Sequence, residues 1–292
     1  MKIISLISIL LYSLLNAMCF AGEQIDTIRY IESAQHPDPK QGYFVELLSL
    51  ALAASKDEYG DYQLQPVRYE MAQGRASMML QRNELIDVHW RMTSKSLESK
   101  LQAIYFPILK GLMGYRIFII RKEDQPLFKQ VNSLAELQTL SLGQGINWPD
   151  SEILLSNGFN VIKGYDIHLL KMLKRKRFDY FPRALHEPWL EIANEPELMV
   201  EQSFMLTYPA PMYFFVNKNN KRLTDRLTLG LKRLLNSGKF EHYFENHAIT
   251  SNILAKAKLA NRRVFQLSSP LLSKQTNELL KDKRLWIKVN DL

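Results

Sequence analysis

The sequence predicts an α/β protein built as two lobes. A strand–helix–strand–helix–strand order runs from Ile25 to Trp90, which favours a mostly parallel sheet with helices on its faces. The same alternation starts again at Ser133, as a second α/β unit would require. Two stretches are also alike, Leu85-Ile-Asp-Val-His-Trp-Arg91 and Arg177-Phe-Asp-Tyr-Phe-Pro-Arg183. Each is a short apolar strand with an aspartate four residues ahead of an arginine. Convergent strand grammar accounts for the likeness. Two equivalent lobes, each presenting a strand end, account for it as well. Ligands of open α/β sheets bind beyond the carboxyl ends of strands, so in that second reading Arg91 and Arg183 face each other across a cleft.

Each element follows from its own pattern. Ile25 to Ile31 alternates and reads as a strand. Glu32 to Gln41, with Pro37 and Pro39, is a polar loop. Gly42 to Lys56 sets Phe44, Leu47, Leu48 and Ala51 on one helical face. Leu64–Tyr69 is strand-like, Gln73–Arg82 helical, and Leu85–Trp90 a short buried strand. Leu112 to Ile120 is apolar and is followed by a polar turn. Ser133-Leu-Ala-Glu136 is a capping box that starts a helix. Thr139–Leu142 is a strand. Pro149–Ser156 is a helix stopped by Asn157-Gly158. Asp166 caps the helix carrying Leu169, Leu170 and Leu173, and Phe178–Phe181 is the next strand. Met212–Asn217 is a further strand. Leu223, Leu227, Leu231 and Leu234 mark a helix ending near Gly238. The last 45 residues read as a tail wrapped on the surface.

With 292 residues, 46% apolar and 23% charged, the chain has room for a sizeable core in one large domain or two modest ones. This excludes a wholly disordered, collagen-like or disulfide-stapled chain. The formal charge of +8 demands a basic surface. Met1-Lys2, an apolar run from Ile3 to Leu15, and small residues at Cys19 and Ala21 have the layout of a secretory signal. Cleavage after Ala21 removes residues 1–21, among them the only cysteine. It also removes Lys2, so the formal charge falls from +8 to +7. No later stretch is long and apolar enough to cross a membrane. The mature chain is thus expected to be soluble, exported and free of thiol chemistry.

Reactive chemistry is sparse. There is no Gly-Lys-Ser/Thr phosphate loop, no His-Glu-x-x-His and no Gly-x-Ser-x-Gly. Gly143-Gln-Gly145 opens like a dinucleotide fingerprint but lacks the third glycine. The six histidines are scattered, with no metal-ligand spacing among them. The basic run Lys171–Arg177 reads as a solvated helix face rather than a nucleic-acid patch. Neither metal nor cofactor is expected.

The pieces taken together resemble the family 3 periplasmic solute-binding proteins, best known for amino-acid uptake. The likeness rests on Gly42-Tyr-Phe-Val-Glu-Leu-Leu48, Leu85-Ile-Asp-Val88, Met92-Thr-Ser-Lys-Ser-Leu-Glu98 with Phe106-Pro107, Ser133-Leu-Ala-Glu-Leu137 and Leu235-Asn-Ser-Gly-Lys-Phe240, spread over residues 25–247. The resemblance implies the type II bilobed fold with two crossing hinge strands, for which Tyr115–Arg121 and Met212–Lys218 are the candidates. It implies a first lobe of residues 22–115, a second of 116–208, a return to the first at 209–247 and an extension at 248–292. It further implies a periplasmic monomer that captures a small polar or anionic, amino-acid-like metabolite for ABC-type transport, with a membrane permease or a sensor as partner and no bond-making. An envelope sensor without a permease, or a dehydratase-like enzyme on the same fold, are the alternatives. The family places an arginine that clamps the ligand carboxylate where this chain has Glu98. Arg75 and Arg183 are its substitutes, since a guanidinium suits a bidentate carboxylate clamp. Tyr43, Tyr69, Trp90, Trp148, Phe181 and Tyr208 are aromatic candidates for the ligand body. Arg91, Thr93, Gln144 and Glu32 are polar candidates, and Glu98 and Glu187 are carboxylates that could meet an ammonium.

Overall fold

Short runs rich in β-branched and aromatic residues form the strands of the computed structural model, which describes residues 25–33, 38 and 40–287. The predicted signal segment, residues 1–21, lies outside the described residues. In chain order the strands are β1 (Asp26–Glu32), β2 (Tyr62–Arg68), β3 (Val88–Met92), β4 (Gln102–Ile104), β5 (Tyr115–Arg121), β6 (Ser141–Gly145), β7 (Asn160–Gly164), β8 (Phe181–Ala184), β9 (Leu198–Val200), β10 (Phe204–Thr207), β11 (Met212–Val216) and β12 (Arg263–Gln266).

The strands fall into two groups, one for each lobe. In the first, β1 pairs in parallel with β2, and β11 lies antiparallel between β3 and β4. In the second, β12, β10, β5 and β8 lie side by side, β9 pairs with the far end of β5, and β6 pairs in parallel with β7. The molecule is therefore mixed rather than mostly parallel. The reason lies in connectivity: β11 is reached only after the chain has built the second group and come back, so it enters its sheet from the opposite end. The last predicted strand of the alternation, Phe178–Phe181, begins later than expected, at Phe181. Its leading residues instead meet β6, where Tyr180 bridges Leu142 and its carbonyl accepts from the Gly143 N–H.

Helices cover both groups. Gln41–Ala53 buries Tyr43, Phe44, Leu47, Leu48, Ala51 and Leu52. Lys221–Asn236 packs against it through Leu223, Leu227, Leu231 and Leu234. The i, i+4 and i, i+3 spacing of those leucines sets one apolar stripe inward. Arg226 on the same helix is fully buried, donating to Asp26 Oδ2 at 2.5 Å and the Gly60 carbonyl at 2.7 Å. No helix among the described residues is long and apolar enough to cross a membrane.

The two similar stretches have one feature in common and differ in another. The Asp87 carboxylate holds Arg29 of β1, at 2.8 Å to its backbone N–H and 2.8 Å to its guanidinium. Asp179 does the same for β6, accepting from the Ser141 N–H and hydroxyl at 2.7 Å each. Each aspartate thus ties an incoming strand to its neighbour. The arginines part company: Arg91 points into its own lobe, and Arg183 into the cleft.

The chain passes between the groups at Gly114 and again at Tyr208–Pro211. The two passages touch, with the Tyr208 N–H donating to the Gly114 carbonyl at 3.0 Å. A third passage was not legible in the sequence. Residues expected to be a surface tail are built in. β12 extends the second sheet beside β10, and the Asn157 amide donates to the Ser268 carbonyl at 2.8 Å. Three residues later the Leu271 carbonyl accepts from Lys95 N–H of the first lobe at 2.8 Å. Helix Lys274–Leu279 then places Thr276, fully buried, against Glu98, and Ile287 N–H donates to the Lys110 carbonyl at 2.8 Å.

Candidate functional site

A cavity of about 1000 Å³ lies between the two groups of strands and is walled by both. On the first lobe, strand alternation along β3 places Trp90 and Met92 on the wall, and the start of helix Gln41–Ala53 adds Phe44. The Trp90 and Phe44 rings stack, 5.4 Å between centroids and 24° between planes. Tyr30 of β1 backs Trp90 at 6.2 Å. On the second lobe, Trp148 follows β6 and Phe181 opens β8, their rings 6.2 Å apart and 15° from parallel. Trp148 lies over the backbone of Gly145, where a Cβ would come within 2.4 Å of the indole. The Arg183 guanidinium covers both rings, 4.7 Å from the Trp148 centroid and 5.0 Å from that of Phe181.

The floor is ionic. Arg116 of β5, 1% exposed, pairs with Asp150 at the start of helix Pro149–Ser156, and Tyr208 donates to that same carboxylate at 2.5 Å. Arg183 donates to Glu191 Oε2 at 2.7 Å and lies 3.0 Å from Glu187 Oε1. Lys40, just ahead of helix Gln41–Ala53, reaches across from the first lobe to Glu187 at 3.5 Å and Glu191 at 3.8 Å. Burial alone would raise the Glu187 carboxyl, but the cations Arg183, Lys40 and Arg116 outweigh it and hold it well below the usual carboxylate range. Burial alone would lower Lys40 and Arg183; the facing carboxylates outweigh that, and both stay above their ordinary values. His186 is different. Burial, with Lys40, Arg116 and Arg183 nearby, drives its pKa down to about 3, so the ring is neutral. His89 is also lowered to about 3, by burial and then by Arg91.

Of the residues nominated from sequence, Trp90, Trp148, Phe181, Arg183 and Glu187 line this cavity. The others do not. Tyr43 is buried in the first lobe and donates to the Ile108 carbonyl at 2.7 Å. Arg91 donates to Ser77 Oγ at 2.9 Å and does not face Arg183. Thr93 donates to Glu98 at 2.6 Å. Gln144 is fully buried and donates to the Pro182 carbonyl at 3.3 Å. Tyr208 lies beneath the floor, holding Asp150. Glu32 pairs with Arg68 at 3.0 Å, and exposed Arg75 lies over the exposed Tyr69 ring at 5.6 Å. Glu98, offered as a partner for an ammonium, is engaged by Thr93, Tyr105 and Thr276.

Phe44, Lys40, Arg116, Asp150, His186 and Glu191 were not nominated. Arg116 had a signal, being a charge inside the apolar run Tyr115–Ile120. A charge in such a run must be paired or functional. Lys40 had none, because its partners lie in another part of the chain.

No family model and no curated protein matches the chain. Solved structures match its fold. An ancestral arginine-binding protein bound to arginine superposes with a TM-score of 0.54 at 16% identity, over 75% of this chain and 96% of its own. An arginine-specific periplasmic binding protein from Salmonella typhimurium gives 0.55 at 13%, over 75% and 98%. The substrate-binding protein of an amino acid ABC transporter gives 0.51 at 11%, over 76% and 98%. The chain therefore has the two-lobed type II periplasmic-binding-protein fold, and about a quarter of it has no counterpart in these structures.

Proposed function

We propose that this protein is an exported solute receptor, which captures a small polar molecule between its lobes and presents the closed form to a membrane permease. One observation carries the reading: both lobes contribute aromatic and ionic side chains to one cavity, and Lys40 reaches across it. Closing the lobes encloses whatever lies there, the usual use of a hinged cleft. The bilobed neighbours, each described as a binding protein, support it. The ligand-contacting residues in this reading are Trp90, Trp148, Phe181 and Arg183, joined by Phe44 and Lys40. The lobes divide as residues 22–115 with 209–247, and 116–208, with 248–292 appended. The ionic groups favour binding over catalysis. Glu187 is held ionised by its cations, so it has no proton to give, and its oxygens are taken by salt bridges.

A thermal-shift screen of residues 22–292 against amino acids, dicarboxylates, polyamines, nucleosides and small sugars tests the reading. A ligand at a hundred times its dissociation constant adds about 2.7 kcal/mol to stability. At about 2–4 °C per kcal/mol, that is readily seen. The shift should vanish in Trp90→Ala and in Trp148→Ala. The reading is lost if no compound moves the melting temperature, or if a hit is indifferent to both substitutions.

A further inference from the structure

We infer that the cleft is built for a ligand without an ionic head, an uncharged ring carrying hydroxyl, amide or ring-nitrogen groups. This rests on the receptor reading above and specifies its ligand class. Inside the cavity the sheltered charges are three cations, buried Arg116 and Arg183 with half-buried Lys40, and three anions, buried Asp150 and Glu187 with half-buried Glu191. Each has an opposite partner on the protein. A carboxylate or ammonium on the ligand would have to break one of these pairs and strand its other member away from water, which costs more than the pair itself contributes. The cavity's remaining charges without an opposite partner among the described residues, Lys171, Arg175 and Asp166, are exposed, and water already solvates them. Glu98 offers no vacancy, its two oxygens being bound by three hydroxyls.

Besides Nε of Arg116, whose charge is already paired with Asp150, the unpartnered buried atoms of the cavity belong to two imidazoles. His186 is 3% exposed and lines the cavity, and its Nδ1 has no hydrogen-bond partner among the described residues. Nε2 of His89, a half-buried ring that also lines the cavity, likewise has no partner among the described residues. Both rings are uncharged, so each presents one donor and one acceptor nitrogen. A buried polar atom without a partner is destabilising until something meets it. A neutral hydroxyl or amide meets it with no charge to desolvate. The walls agree, since Phe44 with Trp90 on one lobe and Trp148 with Phe181 on the other present flat apolar faces to a flat or cyclic body.

Titration calorimetry on the full mature chain, with matched pairs of probes, tests this. D-glucose is paired with D-glucuronate and uridine with uridine 5′-monophosphate, beside arginine, glutamine and succinate. One neutral probe should bind, and its charged twin should bind at least ~100-fold more weakly, since the twin must open a buried ion pair. Which neutral probe binds separates a sugar from a heterocycle. His186→Ala should weaken that binding about tenfold, the loss of one hydrogen bond, and His186→Gln should restore much of it. If the alanine variant does not fold, the glutamine variant and the charged twins still decide. Binding of an amino acid or succinate as tight as any neutral probe overturns the inference and leaves the receptor standing. Failure of every probe, with no shift in the wider screen, overturns both.

Discussion

Gly114 has no room for a methyl group. A Cβ there would lie 2.1 Å from the Tyr208 carbonyl oxygen, in the other passage between the lobes. Gly114→Ala must push the two passages apart. Overpacking of this kind costs about 1–3 kcal/mol, so the melting temperature should fall by several degrees, with a larger effect on ligand-induced compaction in solution scattering than a core substitution of equal cost. The histidines give a pH prediction. His186 and His89 stand at about 3, below the 6.5 of an exposed imidazole, with burial the first cause for each. The unfolded chain therefore binds more protons than the folded one between those values. Stability is complete above about pH 6.5 and falls as the pH drops toward 3. Melting curves from pH 7.5 to 4.5 should show this decline, and His186→Gln should flatten it. A flat profile in the unmodified protein would mean that these rings are open to water. Trp90, Trp148 and Phe181 could be nominated from sequence because large aromatics at strand ends announce themselves. Lys40 could not, since nothing in a lysine beside a proline-containing loop says what it will meet 147 residues later.

Among the elements, those with a strong apolar period were the readable ones. Helix Lys221–Asn236 follows its leucines, and helix Pro149–Ser156 follows its N-terminal proline and its Asn-Gly stop. β12 shows the limit of such reasoning. Its four residues are largely exposed, and it is a strand only because β10 offers an edge. β7 was missed for a similar reason: Asn160-Val-Ile-Lys-Gly164 is half-buried and short, and takes its extended form from parallel pairing with β6. Two substitutions test the element-level packing. Leu227→Ala opens a fully buried site between helices Lys221–Asn236 and Gln41–Ala53 and should cost about 2–5 kcal/mol in urea unfolding. Thr276→Val keeps the shape of its side chain but strips one hydroxyl from Glu98. About 1 kcal/mol should be lost, seen by calorimetry, because a half-buried carboxylate oxygen loses a donor.

For the molecule as a whole, the three passages between lobes govern motion. Two of them run side by side at Gly114 and Tyr208, which defines a hinge. The third, residues 267–271, is anchored on both sides within a few residues and restrains how far the cleft opens. Cutting an engineered protease site in that stretch should leave β12 on the second sheet and the short C-terminal piece docked on the first lobe through Thr276, and should enlarge the ligand-free radius of gyration in solution scattering. An unchanged radius would show that the stretch imposes no restraint. The two-lobed plan was legible because the β-α alternation restarts. The third passage was not, because a mixed apolar and basic tail has no period of its own.

The built-in tail also bears on how the chain reaches its native state. Asp26 meets Arg226 across 200 residues, and Glu98 meets Thr276 across 178. Such pairings come late, because the entropy of closing a long loop is lost before any contact rewards it. Neither lobe is complete until residues 263–276 arrive, since they supply a sheet edge to one and a buried hydroxyl to the other. Refolding from urea should therefore be slow and should occur in a single concerted phase, with no stage at which one lobe stands finished and alone.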